Sequence, residues 1–119
     1  DIELVGYAPD VRPWYARGRL VVVPIRAGGG TRIKVLEAFA LRRPVVATTI
    51  GAEGIAAEQG KHLLVADEPR DFAACCLRLI ECPDPGEALT RNAFALFTAR
   101  YTPEAVAGVV AAAPSPPLR

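Results

Sequence analysis

The sequence predicts an α/β domain built on a parallel sheet, and three observations carry that prediction. Short apolar runs alternate with helical patterns, which is the order of βα units. The runs are nearly continuous in hydrophobicity instead of alternating, as expected of strands covered on both faces. A glycine turn, "AGGGT" at 27 to 31, stands between one such run and the start of a helix. The 119 residues, 51% hydrophobic and 23% charged, suit one domain with a real core.

Four runs read as strands: "IELVG" at 2 to 6, "RLVVVPI" at 19 to 25, "PVVAT" at 44 to 48 and "HLLVA" at 62 to 66. Between the first two, Asp10 is placed to cap a short helix carrying Val11, Trp14 and Tyr15 at i, i+3 and i+4, with Pro13 tolerated in its first turn. Thr31 is placed to cap a helix from Arg32 to about Arg42, which must end before Pro44. The stretch 53 to 60 allows one or two helical turns, and Pro69 opens a helix through "PRDFAACCLRLIEC". A last pair of helices is expected over about 86 to 100 and 103 to 112. The domain is therefore read as 1 to 112, with "APSPPLR" at 113 to 119 a disordered proline-rich tail.

Composition limits function. A net charge of +1 supplies no field for an extended nucleic-acid surface or an anionic membrane patch. Of 14 basic residues only Lys34 and Lys61 are lysine. That bias suits bidentate contacts to phosphate or carboxylate, and equally reflects a genome rich in arginine codons. Cys75, Cys76 and Cys82 lack zinc or redox spacing, which points to a reduced, intracellular setting. With Phe72, Leu79 and Ile80, Cys75 and Cys76 fall on a core-facing helical stripe, as small buried hydrophobes. The longest apolar run, 105 to 113, is short of the roughly 18 residues of a membrane span. The chain opens without Met, directly on a strand-like stretch and with no signal-peptide pattern, and so reads as a piece of something longer.

The chemistry concentrates between residues 25 and 48. Glycines let a backbone take positive φ and let a ligand approach, while a helix start favours an anion. The turn is thus either a phosphate site or a plain chain reversal. A dinucleotide fingerprint counted from Gly28 fails at Ile33, and no Walker "GK[ST]" occurs. Lys34, Glu37 and Leu41 lie on one stripe of the following helix, with Lys34 nearest the turn. A pyrophosphate followed by a ribose fits that order, the lysine neutralising charge and the carboxylate accepting from vicinal hydroxyls. A surface ion pair worth about 0.2–0.5 kcal/mol would explain the pair, yet not a carboxylate inside "VLEAFAL". A phosphoryl-transfer signalling domain would need acidic strand ends, whereas Pro24, Thr48 and Ala66 stand there; His62 reads as structural.

The stretch "VVVPIRAGGGTRIKVLEAFALRRPVVATTIGAEGI" followed by "HLLVADEPRDFA" resembles the donor-binding C-terminal domain of retaining GT-B glycosyltransferases of family 4, the glycosyl transferases group 1 domain. The resemblance extends from residue 2 to about residue 104. It implies a Rossmann-like three-layer α/β/α fold with a parallel sheet, here lacking its first strands. It also implies a site for a nucleoside-diphosphate sugar, with no other cofactor and no metal. Gly28, Gly29, Gly30 and Thr31 would then lie at the diphosphate, with Lys34 and Arg32 or Arg26 adding positive charge. Glu37 matches the family's ribose-binding glutamate. The partner glutamate, separated from it by seven intervening residues and contacting the transferred sugar in the family, falls at Gly29. Gly51, Glu53 and Gly54 match a loop near the donor, although a plain turn accounts equally well for Glu53. No catalytic residue is assigned.

By the same resemblance, the parent would be a glycosyltransferase of hexosyltransferase type, acting in cell-surface polysaccharide synthesis. It would be cytoplasmic or peripheral at the inner membrane face. An N-terminal acceptor domain of the parent is the expected partner, and without it the isolated chain is expected to transfer no sugar. An exposed sheet edge is expected to invite pairing with a second copy. The competing reading is a non-catalytic interaction or regulatory remnant that keeps the fold.

Overall fold

The computed structural model describes Asp10, residues 12–28 and residues 32–101. The expected strand at 2 to 6, the helix at 103 to 112 and the tail lie outside these residues. Three strands form one parallel sheet in the order β1-β2-β3: β1 Val21–Val23, β2 Val45–Ala47 and β3 Leu64–Val65. The register sets Val22 beside Val46 and Val46 beside Leu64. All three residues of β2 are buried, as its unbroken hydrophobicity requires of a central parallel strand.

Four helices accompany the sheet: α1 Arg12–Arg17, α2 Arg32–Ala40, α3 Pro69–Glu81 and α4 Pro83–Arg100. Side-chain alternation along β2 divides the core. Val45 and Ala47 join Val35, Leu36, Ala38 and Phe39 of α2 and Ala93 and Phe97 of α4 on one face. On the other face Val46 and Leu64 meet Leu79 of α3 and Leu89 of α4, with Phe72, Cys75 and Cys76 packed against them. Each fully buried large apolar side chain here contributes about 1.5–3 kcal/mol.

α4 reaches both clusters because it crosses the N-terminal ends of the strands. Gly86 lies against Pro44 and Leu79, and Asn92 Nδ2 donates to the Lys61 carbonyl at 3.0 Å. Proline opens both α3 and α4, and extended Cys82 (φ −124°) separates them. α2 closes with a Schellman pattern in which Arg42 N donates to Phe39 O (3.2 Å) and Arg43 N to Ala38 O (2.9 Å). Arg42 takes the positive φ of 59° that this requires, and its guanidinium rests 4.2 Å from the Phe94 ring centre.

The structure corrects several expectations. The strands are shorter than their apolar runs, and α4 begins at Pro83, three residues earlier than expected. Residues 53 to 60 form no helix. Gly54 and Gly60 both adopt φ of +85°, and Glu58 N donates to His62 Nδ1 (2.9 Å) in place of a helical acceptor. His62 is accordingly structural, its pKa lowered by burial first and by Lys61 second. Ile80 is 42% exposed instead of core. Cys75 and Cys76 are half-buried, and burial, followed by the Cys75 neighbour, raises the Cys76 thiol pKa, which disfavours reactivity.

Candidate functional site

In a parallel sheet, ligands gather where strands end and loops lead into helices. Here that end is bound together by side chains. Thr48, following β2, donates its hydroxyl to the Ile25 carbonyl beyond β1 and accepts from Gly51 N at 3.0 Å. Thr49 donates N–H and hydroxyl to the two carboxylate oxygens of Asp67, at 2.9 and 2.7 Å. Those two donors, backbone first, hold the Asp67 carboxyl below the usual range against a small opposing effect of burial, with Arg26 adding attraction. Pro24, Arg26, Thr48, Asp67, Pro69, Phe72 and Ala73 line an open depression of about 220 Å³ between these strand ends and α3.

The α2 side carries the residues singled out from the sequence. Gly28 adopts φ of +91° with open space where a Cβ would point, so the chain turns there with an approachable backbone. Gly29, Gly30 and Thr31 lie outside the described residues. Arg32 opens α2, and its side chain lies across Gly54, whose added Cβ would come within 3.1 Å of Arg32 Cδ. The helix start and the Gly51–Gly54 turn are therefore adjacent. Glu53, in that turn, is exposed, its N–H donating to Ile50 O at 3.1 Å. Lys34 is exposed one turn before Glu37.

Glu37 sits in an apolar run because α2 is buried on two sides, against the sheet and against α4, and Glu37 occupies the half-buried flank between them. Its partner is a phenol and not Lys34: Tyr15 of α1 donates its hydroxyl to Glu37 Oε1 at 3.1 Å, with the Lys34 carbonyl further away at 3.5 Å. Burial first, then the charge of Glu37 and their hydrogen bond, raise the Tyr15 pKa well above the usual tyrosine value, so the phenol remains a donor. Arg43 anchors this helix turn, its Nε donating to Tyr15 O at 2.7 Å and its Nη2 to Ala16 O at 3.2 Å.

Sequence reasoning placed Tyr15 on an apolar stripe and missed its pairing with Glu37, which spans 22 residues of sequence. It likewise missed Asp67, one residue beyond the expected strand end, and Arg43. The signals available were faint: a tyrosine where an aliphatic would serve, and an arginine immediately before Pro44.

A parallel sheet with helices on both faces and loops collected at its carboxyl ends defines a Rossmann-like domain. Comparison with known proteins makes this specific. The family model for "Glycosyl transferases group 1" matches residues 1–82, and the chain belongs to that family. A solved structure with a similar fold is the C-terminal domain of a glycosyl transferase group 1 family protein, LpcC, from Francisella tularensis. It superposes with a TM-score of 0.74 at 21% identity, over 86% of this chain and 53% of that one. The fold is thus that of the GT-B C-terminal domain, and the chain spans about half the length of its solved counterpart. No curated protein matches the chain at a significant level.

Proposed function

We propose that this chain is the nucleotide-sugar-binding part of a retaining glycosyltransferase, one that moves a sugar, of hexose type, from a nucleoside-diphosphate donor to an acceptor. One observation carries the reading beyond family membership. A single carboxylate, Glu37, is held half-buried on α2, beyond a glycine turn at the carboxyl end of a parallel sheet. A carboxylate in that position is suited to accept from the two vicinal hydroxyls of a ribose.

The diphosphate would lie at the start of α2, near Gly28, Gly29, Gly30 and Thr31, where the helix dipole and free N–H groups favour negative charge. Lys34 and Arg32, both exposed there, would neutralise charge developing on the leaving diphosphate during transfer with retention of configuration. Glu53, beside Arg32 through the Gly54 contact, would border the donor. The acceptor would be held by a further domain of the parent, and a cell-surface glycan made at the cytoplasmic side of a membrane is the product class in keeping with this reading. Among the described residues no helix is long and apolar enough to cross a membrane.

The test is a titration of the chain with UDP, GDP and ADP, followed by amide shifts, beside Glu37→Ala. Saturable shifts centred on residues 28 to 37, weakened about tenfold or more by the variant, are expected for loss of a charge-assisted hydrogen-bond pair. Shifts elsewhere, or identical binding by Glu37→Ala, would overturn the assignment.

A further inference from the structure

We propose that Tyr15 is a positioning residue for nucleotide recognition: its hydroxyl fixes the Glu37 carboxylate so that the second oxygen is presented to the ribose. The inference rests on the donor-site reading and adds to it a residue that touches no ligand.

Three features support it. First, the bond is selective: Tyr15 donates to Oε1, and among the described residues Oε2 has no hydrogen bond. A carboxylate has about four lone-pair sites, so one phenol occupies a minority of them and leaves room for a diol. Second, the donor is itself held from behind. The Arg43 fork grips the carbonyls of Tyr15 and Ala16, and the Tyr15 ring packs against the cluster formed by α2, α4 and the sheet. α1 is thereby held at both ends of the tyrosine, by its main chain to Arg43 just beyond α2 and by its hydroxyl to Glu37 within α2. Third, burial and the Glu37 charge keep the phenol protonated across the physiological range, so it acts as a donor throughout.

A glutamate with one oxygen pinned has its side-chain torsions set before a ligand arrives, and a ligand then loses less on ordering it. The effect is roughly threefold to tenfold in affinity, and only for ligands that use the carboxylate. A merely structural tyrosine would affect every nucleotide alike.

The experiment compares the affinities of UDP, GDP and ADP with those of their 2′,3′-dideoxy counterparts, for the wild type, Tyr15→Phe and Glu37→Gln. Circular dichroism and thermal melting confirm that each is folded. Tyr15→Phe keeps the ring, so the dideoxy affinity is expected to stay within about twofold while the ribo-to-dideoxy ratio falls by roughly threefold to tenfold. Arg43→Lys, which keeps the charge and loses the fork, is expected to lower the same ratio and serves if Tyr15→Phe does not fold. An unchanged ratio in Tyr15→Phe and Arg43→Lys, with a discriminating wild type, overturns the role of Tyr15 alone. Tighter ribonucleotide binding by Tyr15→Phe does so too, because the phenol would then be a competitor of the ribose. A wild type that binds both nucleotide kinds equally, or neither, overturns the donor-site reading itself.

Discussion

The two ends of the sheet are built by different means. At the carboxyl ends, Thr48, Thr49 and Asp67 join loops through side-chain hydrogen bonds, and a depression lined in part by Thr48 and Asp67 stays open beside them. Tyr15 and Glu37 tie α1 to α2 in the same polar manner. At the amino ends, α4 lies across the strand starts and closes them with apolar contact at Gly86, Pro44 and Leu79. Polar ties fix backbone without covering it, while apolar packing stabilises by covering. A binding site needs the first and a foundation needs the second.

Two buried glycines, one at each end, make this contrast testable with opposite signs. A Cβ on Gly51 would stand 2.6 Å from the Val23 carbonyl oxygen and 3.0 Å from Val23 Cγ1. That carbonyl also accepts from Thr48 N, at 3.2 Å. Backbone cannot retreat there without loosening β1 from β2, so Gly51→Ala is expected to cost about 3 kcal/mol, the upper part of the overpacking range. A shift in urea midpoint corresponding to under about 0.5 kcal/mol would show that the carboxyl end is more pliable than its hydrogen bonds imply.

Gly86 is buried too, yet a Cβ there would meet Pro44 Cγ at 3.7 Å and Leu79 Cδ2 at 3.8 Å, ordinary contact distances. It lies within helix α4. Gly86→Ala removes the entropic penalty of a helical glycine and is expected to stabilise by about 0.5–1 kcal/mol, read from the same urea midpoints. A loss of stability would mean that α4 sits closer to the strand starts than the contact distances indicate.

What was legible in the sequence follows the same division. Apolar packing writes itself in local pattern: "PVVAT" is unbroken because β2 is covered on both sides, and "VLEAFAL" is apolar because α2 faces both sheet and α4. Glu37 stood out against that background for the same reason. The polar ties leave no local trace. Thr49 and Asp67 are 18 residues apart, Tyr15 and Glu37 are 22 apart, and neither pair has a periodicity. Residues 53 to 60 misled because "IAAEQ" has helical propensity, whereas the Gln59 side chain accepts from Val65 N at 2.6 Å and the Glu58 amide bonds to His62. Ile80 misled because its stripe continues beyond the surface that β2 and β3 offer to α3.

The Asp67 tie gives the smallest effect and the one most specific to the carboxyl end. Asp67 is exposed, and its carboxyl pKa is lowered chiefly by the Thr49 N–H and hydroxyl. A folded pKa below the unfolded value of about 3.9 means that the contribution is present above that pH and disappears as pH falls through the folded value. Asp67→Asn keeps an acceptor and removes the charge, so near neutrality it is expected to lower the urea midpoint slightly and to speed amide exchange at Thr49. As the pH falls below about 4 the wild-type carboxylate protonates, and the two midpoints should converge. Added salt should also narrow the gap at neutral pH by screening the Arg26 attraction, leaving the two Thr49 hydrogen bonds in place. Midpoints that stay equally separated down to pH 2 would show that the tie acts through shape and not charge, and the carboxyl end would then resemble the amino end more than its bonds suggest.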